Sequence, residues 1–504
     1  VPGPSPLSWP DYAVLLASLV LLLAIGSRFA RQRDTADFFL ARRHIPWWAA
    51  ALSFLATEIS AVTIISVPAT AYSENWEYVQ FFVGASLAKW AVAVLFIPAF
   101  YRYNVTTIYE FLGHRFGQRS QVTASVLFFI TRLSGSGVRL MAACLAVSVI
   151  FGWPLAPTIA AFSAVSIAYM AAGGVRAVVW TNVFQALIFL VAGGLTLAFI
   201  VSQVDGGLAA IFRVAGEAGR LNVVNWGPAP GSPEFWPQIF GNPNIVWVAL
   251  LNGFIGSMAA FGTDQDLMQR LLTVETRAQS QRTLSITPLG TALTLAIYLG
   301  LGAALFTFYA QQPALPVSRP DAILPHFVQQ AMPAVLRGLM LSAIVLASID
   351  SPLGALASSF VTDIYRPLLV RGRSERHYLR VSRVSVAVFG VLLGALAFGF
   401  SFFDRILWLA FKIAGVTFGS LLGVFLLGLV TRRQVTDGAN VTAMVVMAVV
   451  NLALLALIET GRLPLAWSWL VIIGTAGTIL LAVGLTPRPR SSEGGSGGGG
   501  PQRQ

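Results

Sequence analysis

Apolar runs of bilayer length recur along this sequence from one end to the other. Bounded by charges or by Pro and Gly, they lie near 10–28, 46–71, 78–99, 120–151, 154–172, 177–203, 243–268, 284–309, 334–362, 381–402, 406–430, 438–459 and 464–484. A bilayer span takes about 20 predominantly apolar residues. Hydrocarbon offers an open backbone no hydrogen-bond partner, so each run is predicted to be a helix. Charged residues make up 11% of the 504, against about 25% in soluble domains. A disordered chain, a disulfide framework and an ordinary cytosolic enzyme are excluded on that ground. The reading is an all-α polytopic membrane protein of about 13 transmembrane helices. One membrane domain spans 1–485, and residues 486–504, rich in Pro, Gly, Ser and Arg, form a disordered cytoplasmic tail.

The net charge of +12 raises the possibility of a nucleic-acid partner. Its distribution argues against one, because the basic residues sit in short gaps between apolar runs and not on one face. Of the 33, one set of alternate loops holds 23: Arg28, Arg31, Arg33, Arg42 and Arg43, then Arg102, Arg115 and Arg119, and so on to the tail. The other set holds five: Arg213, Arg220, Arg319, Arg405 and Arg462. Basic loops stay in the cytoplasm. The N-terminus is therefore expected outside and the C-terminus inside, in a multi-pass protein of the plasma (inner) membrane. No basic residue precedes 11–29 and no small-residue cleavage site follows it, so a cleaved signal peptide is not expected. Two long outer loops, 204–242 and 310–333, are candidate lids or re-entrant segments.

Polar residues interrupt two of the runs. Thr57, Glu58, Ser60 and Thr63 fall in the second, and Asp350 and Ser351 fall in the ninth, with Ser358 and Ser359 further on. A carboxylate at membrane depth costs several kcal/mol unless paired or hydrated. The functional reading is an unwound stretch at the midplane whose freed carbonyls bind a cation. The structural alternatives are a displaced helix end for Glu58 and hydroxyl-mediated helix contact for Ser358 and Ser359. Arg132 and Arg139, seven residues apart, share one helix face and need counter-charges or an anionic ligand; Glu58 and Asp350 are the candidates for the former. Lys89 and Lys412 are expected to snorkel. The sequence contains no phosphate-binding GxxxxGK[ST] loop, and its four His and Cys144 are scattered, so no cofactor and no enzymatic activity are expected.

Five segments carry a family resemblance. Tyr169-Met-Ala-Ala-Gly-Gly-Val-Arg-Ala-Val-Val-Trp-Thr-Asn-Val-Phe-Gln185 resembles the signature of the sodium:solute symporter family. Thr263-Asp-Gln-Asp-Leu-Met-Gln-Arg270 is similar to that family's TDQ…QR segment. Tyr109-Glu-Phe-Leu-Gly-His-Arg-Phe116, Phe38-Phe-Leu-Ala-Arg-Arg-His-Ile-Pro-Trp-Trp48 and Ala343 to Tyr365 complete the set, in the family's order. The resemblance implies a leucine-transporter-like 5+5 inverted repeat, here 46–203 and 243–430, with a leading helix and extra C-terminal helices. It implies sodium-coupled import of a small organic solute by alternating access, with Na+ as coupling ion, the lipid bilayer as surroundings, and a functional monomer.

Matched residue by residue, the shared sodium site falls on Ala56, Ile59, Ile344, Ala347 and Ser348. Ala347 stands where the family commonly has a hydroxyl. The signature's Asp is Asn182 here, while Asp350 and Ser351 occupy positions where relatives have small hydroxyl residues. Asn182, Asp350 and Ser351 are therefore a candidate second sodium site; the rival is a salt bridge from Asp350 to Arg132 or Arg139. Candidate solute contacts are Thr57, Glu58, Ser60, Thr63, Gln80, Arg132, Arg139, Asn252 and Phe261. The two Arg favour an anionic or zwitterionic solute. Sugar-transporting members usually carry Asn at the place of Glu58, which argues against a neutral sugar. The competing functions are a proton-coupled transporter and a transporter-like solute sensor.

Overall fold

The computed structural model describes residues 7–29, 32–312, 323–349, 352–402 and 406–487. Among them the elements are helices, joined by one isolated bridge between Ile45 and Val274. Helix α1 (Trp9–Arg28) opens on a capping box made by Ser8 and Asp11. A short α2 (Thr35–Leu40) and a 3₁₀ turn lead to the first expected interruption. There α3 (Trp47–Glu58) stops, Ile59 and Ser60 run extended, and α4 (Ala61–Ser73) restarts at 58° to it. The local cause is legible: the Ser60 amide donates to Thr63 Oγ1 at 3.3 Å and not back to the Ala56 carbonyl. A new helix is capped at the cost of the old one's last turn.

Helices α5 (Tyr78–Arg102), α6 (Ile108–Arg115) and α7 (Gln118–Phe151) follow. The 49-residue α8 (Leu155–Gln203) contains two expected spans, divided at Gly174 with φ 59° and ψ −162°. Only Gly adopts that conformation readily. A Cβ there would also meet the Phe38 carbonyl oxygen at 2.8 Å.

The first long loop folds into α9 (Gly207–Glu217) and α10 (Phe235–Gly241). Next comes a second broken pair, α11 (Val246–Thr263) and α12 (Gln265–Leu272), parted by an extended Asp264. The sequence reading drew one unbroken span over 243–268; the interruption corrects it. The long α13 (Arg277–Gln311) precedes α14 (Ile323–Gln330), which lies in the second long loop. The ninth run holds α15 (Leu336–Ile349) and α16 (Leu353–Ser359), continued by a π-helical stretch, Phe360–Leu369. Asp350, Ser351 and the side chain of Ser348 lie outside the described residues. Helices α17 (Glu375–Phe400), α18 (Ile406–Val430), α19 (Asp437–Glu459) and α20 (Trp469–Gly484) close the chain.

Among the described residues nine helices are long and apolar enough to cross a bilayer, ten when α3 and α4 count as one. Close helix contact uses small residues, as membrane interiors favour. A Cβ on Gly84 would lie 2.3 Å from the Leu250 carbonyl, so α5 and α11 touch backbone to backbone.

Hydrogen bonds between loops sort them into two ends. At one end, Arg43 donates to the Val105 carbonyl (3.0 Å), Arg115 to the Arg433 carbonyl (2.9 Å) and the Ser120 amide to Asp437 (2.7 Å). Thr35 reaches Glu375 there at 2.8 Å. At the other end, Arg337 holds Asp11 (3.0 Å), Arg220 donates to the Glu74 carbonyl (2.8 Å) and the Ala466 amide to the Phe240 carbonyl (2.7 Å). The loops of the Arg-rich set that carry these bonds thus share one end of the molecule.

Candidate functional site

The α3–α4 break opens onto a narrow cleft between helices. Thr57, Ile59 and Ser60 line it from the break, and Arg132, Ser136 and Arg139 from α7. Ser163 and Ser166 of α8, Asp266 of α12 and Ala347 of α15 complete the lining, with Leu353 and Leu393 as apolar cover. Four of the nine expected solute contacts therefore meet here: Thr57, Ser60, Arg132 and Arg139. Two of the expected sodium residues, Ile59 and Ala347, stand beside them.

The second half of α8 ties the end of α3 to α15. Asn182 Nδ2 donates to Thr57 Oγ1 at 3.2 Å, and Gln185 Nε2 to the Leu346 carbonyl at 3.2 Å. Ala56 and Ile344 are buried on either side. The Oδ1 of Asn182, the Oε1 of Gln185 and the hydroxyl of Ser53 are buried with no partner among the described residues. Neutral oxygens with nearby carbonyls are the donor set that a small hard cation takes. Gln185 was not among the expected site residues. Its signal was present, since it closes the signature segment.

Arg132 is held by carboxylates; of the two expected counter-charges Glu58 pairs elsewhere, and Asp350 lies outside the described residues. Arg132 Nη1 lies 3.3 Å from Asp264, and its Nη2 is in closer contact with Asp266. Asp266 also binds Arg270, at 2.6 Å, and the Asp264 carboxylate accepts the Asp266 amide at 2.8 Å. The second break is thus pinned to α7 by a buried ion-pair network. A helical period cannot show which helices meet, and both Asp residues read only as family motif.

Glu58 turns away from the cleft. It pairs with Lys89 of α5 at 2.8 Å and accepts from Thr291 of α13 at 3.1 Å. Lys89 therefore does not snorkel: its side chain is 2% exposed, and Phe261 offers a ring face 5.1 Å from Nζ. Lys412 reaches Glu459 at 2.6 Å. The remaining expected solute contacts lie outside the cleft lining. Thr63 caps the Ser60 amide, and Gln80 donates to the Asn244 carbonyl at 3.0 Å. Asn252 is buried in α11, and Phe261 packs on Phe54 at 5.7 Å. Cys144 is buried and free.

Comparison with known proteins decides the lineage. The profile of the sodium:solute symporter family matches residues 38–482. The chain belongs to the sodium:solute symporter family. Within it, the chain is 30% identical over 456 residues to the sodium/sialic acid symporter SiaT of Proteus mirabilis, covering 88% of this chain and 89% of that one. It is 30% identical to human sodium-coupled monocarboxylate transporter 1, over 87% of this symporter and 72% of the relative. A solved substrate-bound, outward-open structure of a Na+-coupled sialic acid symporter superposes with a TM-score of 0.84 at 27% identity. The match covers 94% of this chain and 97% of that one. This symporter is a membrane-embedded, multi-pass transporter of leucine-transporter-like fold, with Na+ as its coupling ion.

Proposed function

We propose that this symporter imports a small organic anion, a carboxylate, into the cell with Na+. The observation that carries the reading is the cleft lining, which brings Arg132 and Arg139 together with Thr57, Ser60 and Ser163. Both guanidiniums line the cleft, and the solute's charge is assigned to this pair, with Arg139 on the same face of α7 as Arg132. The Ser163 hydroxyl, 8% exposed and without a partner among the described residues, supplies a donor beside them. Relatives named for sialic acid and for monocarboxylates agree with an anionic cargo.

Na+ is assigned to the meeting of the α3 end with α15, at Ala56, Ile59, Ile344, Ala347 and Ser348. Asn182, with Asp350 and Ser351, remains the proposed second site, and the unpartnered Asn182 Oδ1 supports it. The breaks in α3–α4 and α11–α12 support repeats over 46–203 and 243–430, because each falls near the start of its repeat. The sorting of loops into two ends supports thirteen crossings, with the N-terminus outside and the Arg-rich end in the cytoplasm of a plasma (inner) membrane. The unit is a monomer that performs no covalent chemistry. Ion binding orders the broken helix, so solute then binds more tightly, and by reciprocity solute tightens Na+ by the same factor.

Proteoliposome uptake tests this. A panel of carboxylates, zwitterions and neutral sugars is offered under an inward Na+ gradient, and separately under a proton gradient with choline. Carboxylate accumulation in the Na+ arm alone is the expected result. Accumulation driven by protons without Na+, or of neutral sugars only, contradicts the reading.

A further inference from the structure

The buried cluster of Glu58, Lys89 and Thr291 has no part in the cleft. Glu58 is the last residue of α3, next to the extended Ile59. Lys89 Nζ donates to Glu58 Oε2 at 2.9 Å and to Thr291 Oγ1 at 2.8 Å, and Thr291 donates to the same carboxylate. Three helices, α3, α5 and α13, therefore meet at one carboxylate. Phe54 and Phe261 present ring faces to the ammonium at 5.8 Å and 5.1 Å. The cluster stands at the C-terminal end of α3, where the carbonyls that lose their helical donors carry partial negative charge. A lone carboxylate there would add to that charge, and a lone ammonium would cancel it. The pair contributes neither in excess.

We propose that Glu58 and Lys89 are positioning residues whose balanced charges set the Na+ affinity of the α3 break without touching the ion. The proposal rests on the assignment of Na+ to that break. It makes a prediction that mere packing does not: removing either charge shifts affinity, and the two shifts have opposite signs.

The test uses the full chain in lipid nanodiscs with Na+ alone, titrated against choline at constant ionic strength. Binding is read from the rise in thermal midpoint with ion concentration. Glu58→Gln leaves the ammonium unbalanced and is expected to weaken Na+ roughly four- to fifteenfold, the effect of one charge if it acts across about 10 Å at an effective dielectric constant of about 20 to 40. Lys89→Gln is expected to tighten Na+ by a similar factor. The double variant should return to within about twofold of wild type, the coupling that contacting residues show. Lys89→Arg, which keeps the charge, should fall nearer wild type than Lys89→Gln.

Shifts of the same sign, or none, overturn the proposal while leaving the Na+ assignment intact. A wild-type protein indifferent to Na+ overturns the assignment instead. Should the single variants not fold, the exchanged pair Glu58→Lys with Lys89→Glu keeps the ion pair but puts the cation on α3. Weaker Na+ binding is then expected, and unchanged affinity overturns the proposal.

Discussion

Asp266 anchors two buried guanidiniums, those of Arg132 and Arg270. Replacing it with Asn removes one counter-charge from each, and breaking a buried pair in this way costs about 3–5 kcal/mol. Asp266→Asn should lower the thermal midpoint in detergent by several degrees; an unchanged midpoint would show that the network does not hold α12. Arg139→Gln acts differently. Carboxylate uptake should fall about 30-fold or more, matching roughly 2 kcal/mol for a lost desolvated charge pair, while the Na+-dependent thermal shift persists. Loss of both readouts together would place Arg139 in the scaffold. The charged residues were legible in the sequence, but their partners were not. Lys89 lies well inside a span, where an ammonium demands a carboxylate, and Glu58 is the one it meets. The sequence offers Glu58 equally as a counter-charge for Arg132 or Arg139 or as a solute contact, because nothing in a single chain's periodicity orders helices in space.

At the scale of elements, local rules did better. The interruption at Ile59 and Ser60 was readable from clustered hydroxyls, and the division of α8 fell between two expected runs. Gly174→Ala forces a side chain into a left-handed backbone and against Phe38, so it should cost about 1–3 kcal/mol, seen as a lower thermal midpoint. The break at Asp264 escaped notice because its flanks are apolar enough to read as one span. Helix α6, at the Arg-rich end, carries a pH signature. Burial pushes the Glu110 carboxyl above its ordinary 4.5, although the Thr106 and Thr107 amides oppose the shift. As pH rises past 4.5, the unfolded chain releases its proton first, so this group's contribution to stability falls through the window up to the raised value and is flat above it. Glu110→Gln should flatten that slope in midpoint-against-pH scans run upward from pH 4.5; an unaltered slope would assign it to another group.

For the whole molecule, orientation is the exposed claim. Cys144 is buried, so single cysteines can be introduced against a quiet background. Glu217→Cys, exposed at the end of α9, should react with an impermeant maleimide in intact cells. Arg373→Cys, exposed between the π-helical stretch and α17, should react only after lysis. The reverse pattern inverts the topology. Charge asymmetry made this global feature legible before any contact was known, since the rule depends on loop composition and not on packing. The two broken helices carry a further consequence. A transporter whose gating rods are interrupted at like places in each half has built-in parity: the posture that bares the cavity to one compartment is nearly the posture of the other, turned over. Where two such poses lie close in free energy, a single cation's worth of attraction is enough to choose between them.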